Sequence, residues 1–181
     1  MVSWGFDSLT ALMKLRIIIA VLAVISMAVA SQASASTGLM APASVCDGRS
    51  METIVCLTSY ARERVGLPGL TESAALHWSA KQKGSDVGRC GFTHYACKRA
   101  FTYWIERAGY LAVPCWRVGE NLAYGVGDLG EPRSIFRAWL RSATHRANIL
   151  GDWTDIGISR SVGTLEGKRS TIWVSHFGKA C

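Results

Sequence analysis

The sequence predicts a mixed α+β domain. Segments with helical spacing dominate its early part, extended segments close it, and no regular alternation of strand and helix runs through it. A hydrophobic content of 49 % with seven tryptophans suits a sheet covered by helices. No internal repeat or low-complexity domain is visible.

The chain of 181 residues has room for one domain and an appendage, and the appendage stands at the front. Lys14 and Arg16 precede the apolar run IIIAVLAVISMAVA (17–30), and Ala33-Ser34-Ala35 follows with small residues at the spacing a signal peptidase reads. Residues 1–35 are therefore expected to be a secretory signal peptide cut after Ala35. An uncut anchor is the other reading, but the run falls short of the ~20 residues a membrane-spanning helix needs. Met13 offers an alternative start, so residues 1–12 need not be translated.

Residues 36–50, rich in Ser, Ala and Gly, are expected to form a loose lead-in to a domain over 51–181. METIVCLTSYARERVG (51–66) has helical spacing and stops at Gly66. Thr71 is expected to cap a second helix through ESAALHWSAKQKGSDV, whose last turn is weakened by Gly84. RAFTYWIERAGY (99–110) predicts a third helix ending near Gly109. SIFRAWLRSATHRANIL (134–150) predicts a fourth, with Ile135, Phe136, Trp139, Leu140 and Ala143 on a buried stripe. Extended segments are expected at 120–125, 155–163 and 171–178, the last two joined in a hairpin by the turn-like GTLEGK.

Six cysteines follow the leader: Cys46, Cys56, Cys90, Cys97, Cys115 and Cys181. An even number in an exported chain predicts three disulfides, and the absence of any C-x-x-C pair weakens zinc-knuckle and thioredoxin readings. Cys90 and Cys97 bracket GFTHYA and are expected to close that loop; pairing Cys181 would tie down the terminus. The formal charge is +7, and it falls by one unit when Asp7, Lys14 and Arg16 leave with the leader. Such a balance favours anionic surroundings, and export without a recognised nucleic-acid motif argues against DNA or RNA. Arg133, Arg137 and Arg141 recur every fourth residue and form either a solvated helix face or a strip for an anionic partner.

Familiar catalytic signatures are missing: no G-x-S-x-G, no H-E-x-x-H and no glycine-rich phosphate loop. Four histidines and a few carboxylates remain. His94 lies in the cysteine-flanked loop, Glu120 at a strand start after Gly119, and His145 in SATHRANIL. Two imidazoles and a carboxylate suit zinc with one position open, but their separations are too long for a local motif. His77 reads as a partly buried structural histidine and His176 as packing or edge decoration.

These segments, in this order, resemble the CAP superfamily of cysteine-rich secretory, antigen 5 and plant pathogenesis-related proteins. The likeness is closest to small secreted bacterial members with an SCP-like domain. GFTH resembles their Gly-x-[Ser/Thr]-His segment, VGENLAYG their Gly-Glu-Asn strand, and AWLRSATHRANIL their Trp-x-x-Ser-x-x-His-Arg helix; DIGIS and IWVSHFG resemble the two closing strands. The resemblance implies an α-β-α sandwich, with a small three-stranded antiparallel sheet between helical layers. It implies a cleft shared by His94, Glu120 and His145, which in several family members holds a divalent cation, typically zinc. Ser142 stands where many eukaryotic relatives have a second glutamate, one turn before His145. Asn121 would satisfy backbone groups near Glu120 and orient it.

Three functions are compatible with these residues. The first is a secreted, monomeric, non-enzymatic binding module for an anionic or lipidic ligand (lipid, sterol or wall polymer) or a protein. The second is a zinc-dependent hydrolase or peptidase on His94 and His145, with Glu120 as third ligand or general base. The third is a purely structural polar cluster that fixes the loop to the sheet.

Overall fold

Glu166 and Gly167 both have positive φ, 52° and 72°, and form the two-residue turn of the hairpin between β3 (Asp155–Leu165) and β4 (Lys168–Ala180). Positive φ at both central positions matches the twist of paired strands, so the hairpin register runs from Leu165↔Lys168 to Asp155↔Gly178. A computed structural model describes residues 38–180; the predicted leader, its cleavage point and Cys181 lie outside the described residues. No described helix is long and apolar enough to cross a membrane.

β2 (Trp116–Gly125) pairs antiparallel with the other side of β4, from Trp116↔Ala180 to Gly125↔Thr171. The expected three-stranded antiparallel sheet is present, but a fourth strand extends it. β1, only Thr71–Glu72, runs parallel to β3, and the strand order is β1-β3-β4-β2. Thr71 therefore does not cap the following helix. Its N–H bonds to Thr154 and that of Ser73 to Ile156, so α2 (Ala74–Cys90) starts later, with Ser73 Oγ accepting from Leu76 N–H.

α2 lies on one face of the sheet. A Cβ at Gly157 would fall on the backbone of Leu76 and His77, and one at Gly84 would come within 3.0 Å of Ser161 Oγ. Glycine on both sides lets helix and sheet touch, which is why α2 runs through Gly84 to Cys90. The small core on this side holds Ala80, Val87, Leu122, Ile172 and Val174. The opposite face carries α1 (Met51–Glu63), α4 (Pro132–Arg141) and α5 (Ala143–Ile149). There Ile54, Leu57, Phe136, Trp139 and Leu140 meet Ile156, Ile158, Trp173 and Phe177. The result is the expected helix–sheet–helix sandwich.

Three local expectations change. The segment 134–150 is two helices, because Ser142 takes an extended conformation (φ −85°, ψ 123°) that ends α4 and starts α5. Arg146 Nη1 caps the Leu140 carbonyl across this break, and Ser142 and His145 do not share one helix face. The third helix is short, α3 (Tyr103–Arg107), preceded by a 3-10 turn at Ala96–Lys98 in which Cys97 and Lys98 are left-handed. The lead-in is not loose over its described part: Leu39, Ala41 and Cys46 are buried. Disulfide Cys46–Cys56 and two bonds from Arg133, to the carbonyls of Ala41 and Cys46, pin it. Arg133 thus leaves the arginine row, while Arg137 and Arg141 stay exposed. The Cys90–Cys97 disulfide closes as expected, Cys115 is also disulfide-bonded, and no described cysteine is free.

Candidate functional site

Glu120 is the centre of the site. The β2–β4 register places it opposite His176, and even-numbered β2 side chains point toward α2. Glu120 Oε2 lies 2.9 Å from His176 Nε2, and Oε1 lies 2.7 Å from His94 Nδ1. Lys83 Nζ stands 3.8 Å from Oε1 and donates to the His94 carbonyl at 2.5 Å. Behind His176, Ser79 Oγ is 2.7 Å from Nδ1 and 2.9 Å from the Leu76 carbonyl. Glu120, Lys83, Ser79 and His176 are buried, whereas the His94 side chain is 57 % exposed.

These contacts set charges and protons. Burial alone would raise the Glu120 pKa, but hydrogen bonds from His176 and His94, helped by the His176 and Lys83 charges, outweigh it. The carboxyl lies below its ordinary range, so it is a carboxylate that both rings must meet with N–H. A neutral His94 consequently carries its proton on Nδ1 and turns Nε2, with its lone pair, outward. Burial lowers the pKa of Lys83 against the opposing pull of Glu120 and Asp86.

His145 lies on α5, half-buried, and its ring has no hydrogen-bond partner among the described residues. Burial and then the charge of His94 lower its pKa, which favours a neutral ring near His94. Asn121 Nδ2 donates to the His145 carbonyl at 3.0 Å, and Asn148 Nδ2 bridges Asn121 Oδ1 and the Glu120 carbonyl. Asn121 thus anchors α5, while His94 and His176 orient the Glu120 side chain. Among the described residues, Ser142 Oγ bonds only to Thr144.

A cleft of about 350 Å³ opens between the two helical layers, lined by His94, Phe101, Val118, Gly119, Glu120 and Asn148. Two corrections concern histidines. His77 is exposed rather than partly buried, and His176 is no edge decoration but a fully buried partner of Glu120 on a central strand. Sequence reasoning also missed Ser79 and Lys83. Both fall on the stripe of Leu76, Ala80 and Val87, where a serine and a lysine on the buried side of a helix ask for partners.

Ser79, His176 and Glu120 have the connectivity of a serine–histidine–carboxylate triad, yet no substrate reaches a serine buried beneath a helix. A divalent cation fits the site only in part. His94 Nε2, with Glu120 bonded behind the same ring, is oriented as ligating imidazoles are, whereas His145 feels the His94 charge but does not line the cleft. Glu120 has each oxygen engaged by a histidine and orients both rings. Among the described residues no three His, Cys, Asp or Glu side chains are grouped to hold a metal.

The uncharacterized protein YkwD of Bacillus subtilis is 29 % identical over 154 residues, which are 84 % of this chain and 55 % of that protein. The chain thus spans about half the length of this curated relative. No protein-family model matches. An outer surface protein of Borrelia burgdorferi superposes with a TM-score of 0.59 and 22 % identity over 72 % of this chain and 92 % of its own. An extracellular protein containing an SCP domain from Bacillus anthracis gives 0.56 and 23 %, over 72 % of this chain and 40 % of its own. A cysteine-rich secretory protein from Staphylococcus aureus gives 0.53 and 15 %, over 72 % and 38 %. The helix–sheet–helix sandwich, with Glu120 on its edge strand, is the fold that these SCP-domain and cysteine-rich secretory structures share.

Proposed function

We propose that this chain is a secreted, non-enzymatic binding module that an anionic or lipidic ligand retains at a cell envelope. The observation that carries this reading is the state of Glu120, whose two oxygens are both spent on histidines. A carboxylate so engaged is poorly available as a general base or metal ligand. The net charge, +7 for the whole chain and one unit less without the leader, exposed Arg137 and Arg141, and the disulfides support an extracellular partner of negative charge. The solved relatives bear names that place them outside the cell or on its surface.

Co-sedimentation with phosphatidylglycerol vesicles and with an insoluble acidic polysaccharide, against phosphatidylcholine and a neutral polysaccharide, tests this. Retention on an acidic surface that drops steeply with salt, and drops further in Arg137→Glu/Arg141→Glu, is the expected outcome. Equal behaviour on charged and neutral surfaces rejects it.

One observation favours a second reading, a metal-dependent hydrolase: the outward Nε2 of His94 beside neutral His145. A cation held by those two residues would supply water acidified toward neutral pH. Zinc titration calorimetry on metal-stripped protein decides whether it binds. Binding lost in both His94→Ala and His145→Ala supports this reading, and no binding by folded wild type removes it.

A further inference from the structure

We propose that the cleft receives an extended peptide, which adds as a further strand to the open edge of β2. β2 is the last strand of the sheet, so one side of its backbone has no strand partner. The direction of that backbone follows from the ladder. The Gly178 carbonyl accepts from Thr154, so the Gly178 main chain faces β3. Its partner Val118 therefore points its N–H and C=O away from β4, into the open. The same parity turns Trp116, Glu120 and Leu122 outward.

The edge is capped along only part of its length. Trp139 Nε1 donates to the Leu122 carbonyl at 3.1 Å, and Asn148 Nδ2 to the Glu120 carbonyl at 3.1 Å. Toward the start of the strand the caps stop. Among the described residues nothing outside the sheet bonds to the main chain of Trp116 or Val118, or to the Glu120 N–H. What remains is the carbonyl of Trp116, the N–H and carbonyl of Val118, and the N–H of Glu120. They alternate acceptor and donor at strand spacing over roughly 13 Å. The cleft of about 350 Å³ opens on Val118 to Glu120, and a second cavity of about 450 Å³ opens on Trp116.

Alternating main-chain groups select a partner with the complementary alternation, which is another polypeptide strand. Phe101 and Val118 wall the cleft on the α2 side, and Asn148 lines the α5 side. A bound strand thus meets Phe101 and Val118, beside the His94–Glu120 pair, with every second side chain and Asn148 with the others. This partner lies beyond the proposed retention on anionic surfaces and does not depend on it.

The test uses uncharged, end-blocked heptapeptides that alternate threonine with valine, leucine or phenylalanine, added to the isotope-labelled full chain. Amide exchange is followed by NMR. Saturating peptide is expected to slow exchange at Val118 and Glu120 by at least about tenfold, while Gly119 and Asn121, which face β4, change little. N-methylation of alternate peptide bonds should weaken binding by about tenfold or more, since it removes several main-chain donors. Val118→Pro deletes the outward N–H but no bond to β4, so it should weaken peptide binding several-fold and leave retention on acidic surfaces unchanged. The proposal is overturned by no saturable binding across the peptide set, by binding without protection at Val118 and Glu120, or by equal affinity of the N-methylated peptides. The wild-type exchange measurement stands even where the proline variant does not fold.

Discussion

Glu120 and His176 meet across the β2–β4 ladder, Oε2 to Nε2 at 2.9 Å, with no surface of the histidine in contact with solvent. A carboxylate buried against an imidazole is stable only while the partner is present. His176→Ala should therefore cost about 3 kcal/mol in denaturant unfolding, because it leaves the buried Oε2 of Glu120 without its partner and removes the Ser79 contact to Nδ1. Ser79→Ala, which leaves the Glu120–His176 contact intact, should cost only about 1 kcal/mol. Equal losses in the two variants would show that the pair is not the unit that matters.

Asp86 predicts an acid-sensitive fold. Its buried carboxylate accepts from Arg99, Trp104 Nε1 and Arg89. Burial by itself would raise its pKa, and these hydrogen bonds more than reverse the effect, so the group lies below its ordinary value. A carboxyl lowered on folding stabilises the protein fully above the unfolded value, about 3.9, and that contribution is lost as pH falls through the lower folded value. Urea midpoints measured from pH 6 to pH 2 should fall in this window, and Asp86→Asn should flatten the curve. An unchanged slope in the variant assigns the acid sensitivity elsewhere.

Arg62 ties α1 to the loop after α5. The fully buried guanidinium donates to the carbonyls of Pro68, Ile149, Gly151 and Trp153. Arg62→Met fills similar space but leaves those acceptors unpaired, and should destabilise by about 3 kcal/mol. The amides of 149–153 should also exchange faster than in wild type. Global destabilisation with no local change there would contradict the tie.

Gly157 permits contact between β3 and the backbone of α2, so Gly157→Ala must push the helix away. A loss of about 2 kcal/mol in thermal or denaturant unfolding is expected. Gly167→Ala, at the exposed hairpin turn with positive φ, should cost less because only local backbone strain is added.

Much of this architecture was legible where the cause is local. The stripe of Ile135, Phe136, Trp139 and Leu140 marks a buried helix face whatever lies beneath it. GTLEGK announces its hairpin by turn chemistry, and Cys90 and Cys97 are near enough in sequence to suggest their bond. His94 and Glu120 could be named as candidates, but the partners that govern them could not. His176 reaches Glu120 only through the β2–β4 register, and Ser79 and Lys83 do so only because Gly84 and Gly157 let α2 settle on the sheet. The break at Ser142 was hidden for the same reason. No proline or glycine marks it, and its extended geometry is accompanied by contacts that Arg146 and Asn148 make elsewhere.

The pairing of Glu120 with His176 spans 56 residues, and that of Ser79 with His176 spans 97, with the histidine on the last described strand in chain order. A ribosome thus makes the carboxylate long before the imidazole that accommodates it. Until β4 is synthesised, neither β2 nor β3 has its antiparallel neighbour, and α2 lacks the strand it covers. Every shortened version of this chain that lacks β4 therefore lacks the site as well.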